Sequence, residues 1–161
     1  VADARAAGPE HDWQLDLAVL EPPADATPEE AEDFLPEPPL VIGDEARLRQ
    51  VVVNLLANAR VHTPAGSHVT TTLAREGDTL IVRIHDNGPG IAPDVRDRLF
   101  ERFARGDSSR ERRTGSTGLG MSIALAIVQS HGGSIDVDSS TAPEDHGTTF
   151  SVRLPAAAVE E

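Results

Sequence analysis

Residues 48–62 read LRQVVVNLLANARVH. Leu48, Val51, Val52, Leu55, Leu56 and Ala59 recur at spacings of three and four, the stripe of a helix packed on a core. Asp44 stands where an N-cap belongs, and Thr63-Pro64-Ala65-Gly66 ends the segment. Beside the apolar stripe, Asn54, Asn58 and His62 lie at i, i+4 and i+8, so they share one face that drifts slowly around the helix. Asparagine competes for backbone hydrogen bonds and is a poor helix-interior residue, so two at this spacing are informative. An amide oxygen is a hard, neutral ligand suited to Mg²⁺ beside phosphates. The plainer alternative is an exposed polar face.

Outward from this helix the pattern is mixed. Trp13 to Val19 (WQLDLAV) alternates apolar and polar residues and reads as a strand, and Leu40 to Ile42 reads as a second, shorter one. Val69 to Arg75 and Thr79 to His85 read as strands joined by a hairpin turn at Glu76-Gly77-Asp78. Pro93 to Leu99 is a short helix after a proline start, and residues 105–117 lack periodicity and read as a long mobile loop. Leu119 to Gln129 is an apolar helix stopped by Gly132-Gly133, and Ser134 to Ser139 and Thr148 to Leu154 are the last strands. There is no internal repeat. The order predicts an α+β fold, a two-layer α/β sandwich in which a mixed sheet carries helices on one face.

Composition excludes several chemistries. All 14 basic residues among the 161 are Arg, so no lysine can serve as Schiff base, phosphate ligand or general base. No Cys is present, which removes disulfides, thiol nucleophiles and cysteine-ligated zinc. With 39% hydrophobic and 25% charged residues the chain reads as a soluble globular protein. Its apolar runs fall far short of the ~20 residues of a membrane span. No basic-then-apolar targeting segment opens the chain, and the start at Val1 sets the expectation of a piece of a larger protein.

The net charge of −13 is concentrated: residues 1–46 hold 13 acids against Arg5 alone, and the remainder is close to neutral. This disfavours nucleic acid as a partner. Residues 21–39, EPPADATPEEAEDFLPEPP, are expected to be a solvated acidic loop that cannot order itself. Residues 96–113 reverse the sign, with seven arginines against four acids. Such a segment beside glycines suits a polyphosphate.

Two further constellations could carry chemistry. Asp86-Asn87-Gly88-Pro89-Gly90-Ile91 closes a strand; its glycines allow a tight backbone path or close approach of a ligand, and Asp86 could accept from an exocyclic amine, although an ordinary Asn-Gly turn has the same letters. Gly115-Ser116-Thr117-Gly118-Leu119-Gly120 runs straight into a helix, where backbone N–H groups can cradle phosphate. It is neither a dinucleotide fingerprint, since Ile123 stands at the last glycine position, nor a Walker A loop, since lysine is absent. In order, the three elements offer a metal ligand, a base-recognising carboxylate and a phosphate cradle.

At this point the sequence resembles the catalytic, ATP-binding domain of bacterial sensor histidine kinases, of the Bergerat fold. Residues 54–64 (NLLANARVHTP) resemble the N box, residues 86–91 (DNGPGI) the first glycine box and residues 100–105 (FERFAR) the F box. Residues 115–121 (GSTGLGM) resemble the second glycine box and residues 147–150 (GTTF) the last. The likeness runs from about Trp13 to Pro155. It implies residues 1–12 as a linker from an upstream dimerisation domain, 13–155 as the kinase domain with a mobile ATP lid at 101–117, and 156–161 as a tail.

The resemblance also implies roles. Asn58 would hold the Mg²⁺ that bridges the ATP phosphates, with Asn54 supporting it one turn earlier. Asp86 would bond the adenine amino group, Gly88, Gly90 and Ile91 would border the base, and Thr148 would reach it through water. Phe100 and Phe103 would anchor the lid base, and Arg102 or Arg105 would touch the phosphates, Arg105 acting with Asn58 in catalysis. Gly118, Leu119, Gly120 and Met121 would line the phosphate side. Arg60 and His62 complete the nucleotide contacts, although the family's basic residue usually stands where this chain has Val61. Ala104 likewise replaces a common aromatic of the F box, and the 21–39 insertion is longer than usual.

None of the six histidines has the setting of a phosphoacceptor; His11-Asp12 is nearest in letters, but it feeds a strand. The implied partners are therefore a dimerisation and phosphoacceptor domain of the same kinase and a response regulator. The setting is a cytoplasmic domain of a membrane-bound sensor, without membrane contact of its own. An ATP hydrolase of this fold would carry Glu at position 54, where an amide is no general base. A serine kinase of the anti-sigma type and a non-catalytic nucleotide-binding module are the other relatives weighed; the F box argues against the first and the intact glycine boxes against the second.

Overall fold

The computed structural model describes residues 1–22, 25–97, 99 and 118–158. Helix α1 spans Ala2–Ala7, strand β1 Asp12–Asp16 and helix α2 Pro28–Glu32. The long helix α3 runs Glu45–His62, followed by the hairpin β2 (His68–Glu76) and β3 (Thr79–Asp86). Residues 93–97 form the helix α4. Helix α5 (Gly118–Ser130) and strands β4 (Ser134–Ser140) and β5 (Gly147–Pro155) close the described chain.

The five strands form one sheet in the order β1-β2-β3-β5-β4. β1 runs parallel to β2, with Trp13 opposite Val69, and the other neighbours are antiparallel. The expected α+β sandwich with a mixed sheet is what forms. Trp13, Val69, Ile84, Phe150 and Val152 come from one sheet face and meet Val51, Leu55, Leu56 and Ala59 of α3 and Ala124 and Val128 of α5 in a single core. The other face carries the polar pairs His85 with Thr149 and Arg153 with Asp136, although Ile81 of β3 on this face is buried. An antiparallel sheet with one solvated face carries this alternation.

Both helices start and stop for local reasons. Asp44 accepts the Arg47 N–H at 3.0 Å as the N-cap of α3. At the end of α5, Gly133 N–H reaches the Val128 carbonyl at 2.9 Å and Gly132 N–H the Gln129 carbonyl at 3.0 Å. With Gly132 at φ +72°, this is a Schellman ending that only glycine enters without strain. The two ends meet: His131 Nδ1 donates to the Ile127 carbonyl at 2.7 Å, leaving Nε2 to accept from the Asp44 amide at 3.1 Å.

Three expectations need correction. The strand read from Trp13 to Val19 ends at Asp16, because the chain turns into a short 3-10 helix, Ala18–Leu20, that buries Val19 against the β2 side. Leu40 to Ile42 is not a strand: Ile42 is 85% exposed, and the segment is tied to the domain by Val41, which packs against the core, and by the Ala157 amide on the Leu40 carbonyl at 2.7 Å. The 21–39 loop is partly ordered. Thr27 and Glu30 form a reciprocal capping box that starts α2, and Glu37 forms an ion pair with Arg75 of β2. Helix α1, unmarked by sequence periodicity, lies within the segment expected to lead in from upstream and packs on α3 and β1.

Candidate active site: a cavity between two helices and two strand ends

A cavity of about 400 Å³ opens where α3 and α5 pass the ends of β3 and β5. Asp86 ends β3 and faces Thr148 of β5 across the ladder. Both are buried and both line the cavity. Asn58 and His62, one turn apart on α3, form one side of it. The rest is mostly apolar: Ile91, Ala92, Val95, Leu99, Met121 and Phe150, with Pro89 and Gly90.

The Asp86 carboxylate is the chemical centre of this space. Its burial pushes it above the usual carboxylate range; the Gly88 amide and the nearby His85 and His62 pull the other way and do not cancel the effect. Oδ1 accepts the Gly88 N–H at 3.0 Å. A carboxylate in apolar walls beside a buried hydroxyl suits a flat ring bearing an N–H donor.

The loop after Asp86 is fixed along its length. Asn87 Oδ1 accepts the His68 amide at 2.8 Å, His146 Nδ1 donates to the Gly88 carbonyl at 2.7 Å, and the Ile91 amide donates to Ser139 Oγ at 2.8 Å. Ser139 Oγ also lies 2.8 Å from both the Gly147 carbonyl and Thr148 Oγ1, so one hydroxyl joins the loop, β4 and β5. Gly90 sits at φ +78°, and a Cβ there would fall on the Ser140 carbonyl. Its lack of a side chain is thus required by close approach to β4, whatever occupies the cavity.

Most of the residues singled out from sequence converge. Asn58, His62, Asp86, Gly90, Ile91, Met121 and Thr148 line the cavity. Gly88 stands behind it, bonded to Asp86. Asn54 acts one turn away: its Nδ2 donates to the Gly120 carbonyl at 3.0 Å and ties α3 to the first turn of α5. Gly118, Leu119 and Gly120 form that first turn.

Arg60 is a correction. It points to the opposite side of α3, lines a separate groove against α1 and donates to the Ala7 carbonyl at 3.4 Å. The 100° step per residue carries it away from the Asn58 face. Phe103 and Arg105, with Phe100, Arg102 and the 101–117 lid, lie outside the described residues. Sequence reasoning missed Val95, Leu99 and Phe150 as cavity wall and Ser139 as the loop anchor. Phe150 closes the GTTF box at residues 147–150 but was given no contact of its own, and no local signal marks Ser139.

The comparisons with known proteins agree with this geometry. Residues 43–158 match the family model described as histidine kinase-, DNA gyrase B-, and HSP90-like ATPase. The chain is 48% identical over 155 residues to the "Probable sensor histidine kinase TcrY" of Mycobacterium tuberculosis (strain ATCC 25618 / H37Rv), covering 96% of this chain and 28% of that protein. It thus spans about a quarter of the length of the curated relatives it matches. Among solved structures, the mycobacterial sensor histidine kinase MprB superposes with a TM-score of 0.72 at 28% identity, covering 98% of this chain and 90% of that one. Full-length ShkA in complex with AMPPNP superposes with a TM-score of 0.66 at 26% identity, covering 97% of this chain and 29% of that one. The fold, the cavity and these matches together place the chain in the histidine kinase-, DNA gyrase B-, and HSP90-like ATPase family, as an ATP-binding domain of the sensor histidine kinase type.

Proposed function

We propose that the cavity binds Mg-ATP and that, in the intact protein, the γ-phosphate passes to a histidine on a separate dimerisation domain during two-component signalling. The observation that carries this reading is a buried carboxylate, Asp86, beneath an apolar cavity edged by Asn58. Asp86 accepts from the adenine amino group, and Ile91, Val95, Met121 and Phe150 pack around the base. Thr148 assists through water. Asn58 offers a neutral amide oxygen to Mg²⁺. Among the described residues no group of three His, Asp or Glu could hold a metal by itself, and phosphate and water oxygens would complete the ligands of an ion held by Asn58. Bound Mg-ATP supplies the transferable phosphoryl group.

The chain's own contribution is placement and charge stabilisation. The amides at the start of α5 cradle the phosphates, and Arg105 with the lid neutralises them. Asn54, an amide bonded to the Gly120 carbonyl, cannot take a proton from water, which favours transfer over hydrolysis. The acceptor imidazole nitrogen attacks phosphorus in line, the bond to the β–γ bridging oxygen breaks and ADP leaves. The imidazole N–H proton goes to solvent.

The partners in this reading are the dimerisation domain and a response regulator, in the cytoplasmic part of a membrane-bound sensor. No helix among the described residues is long and apolar enough to cross a membrane. The test is calorimetric titration with an ATP analogue, with and without Mg²⁺, and with GTP as control. It is followed by transfer of labelled phosphate to a supplied dimerisation domain. Adenine-selective, Mg²⁺-sensitive binding and an acid-labile label on that domain support the reading; a folded protein that binds neither nucleotide overturns it.

A further inference from the structure

We propose that Thr63 and His11 are positioning residues for the Asp86 carboxylate, and that through them the segment before β1 sets how selectively the cavity takes an amino-bearing purine. This rests on the reading of the cavity as a nucleotide site. Neither residue lines the cavity.

The relay starts at Gly88. Its amide fixes Asp86 Oδ1, and its carbonyl accepts from His146. Its third neighbour is the Thr63 methyl: a Cβ added to Gly88 would come 2.5 Å from Thr63 Cγ2. Thr63 therefore seats the peptide that orients the carboxylate.

Thr63 is itself held in one rotamer. It is buried, and its hydroxyl donates to the Ala59 carbonyl at 2.7 Å. That uses its single proton, so His11 Nε2, 2.9 Å away, is the donor to Thr63 Oγ1. Two hydrogen bonds in fixed directions leave the methyl one direction, toward Gly88.

His11 is equally constrained. It is buried, and its ring packs tilted on Trp13 with centroids 5.7 Å apart. On either side of it the chain is fastened to the turn after α3: Gly66 N–H donates to the Glu10 carbonyl at 2.8 Å, and Asp12 N–H to the Ser67 carbonyl at 3.0 Å. A shift of residues 10–12 thus moves Thr63, then Gly88, then the carboxylate. Packed contacts and directional bonds transmit such a shift because neither has slack to absorb it.

The test titrates the full chain with ATP and with inosine triphosphate, which carries an oxo group in place of the amino group, both with Mg²⁺. His11→Phe keeps the ring and removes the donor. Thr63→Ser keeps the hydroxyl and removes the methyl that seats Gly88. The preference for ATP over inosine triphosphate is expected to fall about threefold to tenfold in each variant, the size of one misplaced hydrogen bond, with inosine triphosphate affinity unchanged. Thermal melts and binding stoichiometry establish that the variant is folded, and if His11→Phe does not fold, Thr63→Ser decides. Equal weakening toward both nucleotides indicates a structural role and overturns the relay, as does an unchanged preference. A wild type that binds neither nucleotide, or binds both alike, instead overturns the reading of the cavity.

Discussion

At the scale of the residue, Asp86 sets a conflict between stability and recognition. Burial in the cavity floor raises its affinity for a proton above that of an ordinary carboxylate. A raised acid binds a proton more tightly in the folded state than in the unfolded one, so stability falls as pH rises from the unfolded value through the folded value. At neutral pH the ionised group is therefore a cost to the fold. Asp86→Asn keeps an Oδ1 for the Gly88 amide and removes the charge. The variant is expected to melt higher than the parent at neutral pH, with the gap closing as both are acidified toward the ordinary carboxylate range; calorimetric melts across pH measure it. The same change presents a donor to the adenine amino group in place of an acceptor, or leaves it weakly paired, and is expected to weaken ATP about tenfold to a hundredfold by titration, the worth of a charge-assisted hydrogen bond. A gap that widens on acidification contradicts the sign. Asp86 was legible in sequence because a carboxylate followed by Asn-Gly-Pro-Gly ends a strand. Val95, Leu99 and Phe150 were not, because an apolar residue carries no mark of which apolar space it faces. His11 and Thr63 read as a strand lead-in and a helix stop, and only their contact, 52 positions apart, gives them a role.

At the scale of the element, the ends of α3 and α5 hold each other. Gly43 precedes the N-cap Asp44, and a Cβ on Gly43 would collide with His131 Cδ2. The imidazole is fixed at both nitrogens, on Ile127 and on the Asp44 amide, so it cannot step aside cheaply. Gly43→Ala is expected to destabilise the domain by about 1–3 kcal/mol, as overpacking does. His131→Ala removes both the obstacle and the bond. In that background Gly43→Ala should cost little, and urea unfolding of the four proteins measures the coupling. Additive losses would mean that the two sites act independently. This tie also separates what the sequence could and could not disclose. The α3 stripe, the Asp44 cap and the Gly132-Gly133 stop follow from local periodicity and backbone preference, and all three are found. Leu40 to Ile42 has the letters of a strand, but a strand needs a neighbour, and Ile42 instead projects into solvent. α1 is one turn and a half long, with no buried residue of its own, so it has no amphipathic period to read; its order comes from packing on α3. Arg60 shows the same limit from the other side, since the two residues of helical rotation, about 200°, that separate it from Asn58 and from His62 turn it from the cavity to α1.

At the scale of the whole molecule, the sheet order and the parallel edge strand come from pairings distant in sequence, while the charge distribution is plain in the letters. Thirteen acids and one arginine fall in residues 1–46. Within that segment the described ion pairs are Asp44–Arg47, Glu45–Arg49 and Glu37–Arg75, and the acidic partners are exposed. Two effects of salt then compete. Screening weakens the exposed pairs, each worth about 0–1 kcal/mol. It also relieves repulsion among the acids that have no such pair among the described residues, which act on one another over about 30 Å at 0.01 M salt and about 10 Å at 0.1 M. Among the described residues the acids without a pair outnumber the pairs, so relief wins, and the melting temperature is expected to rise with sodium chloride between about 0.01 M and about 0.3 M. The origin can be located. Glu29→Gln, Glu32→Gln and Asp33→Asn together remove three charges from the insertion and spare Glu30, whose carboxylate belongs to the Thr27 capping box. This triple variant should melt higher than the parent at low salt and respond less to added salt. A parent that melts lower as salt rises would show instead that its few ion pairs outweigh the repulsion, and that the insertion is held by attraction to Arg75 more firmly than its neighbours push it away.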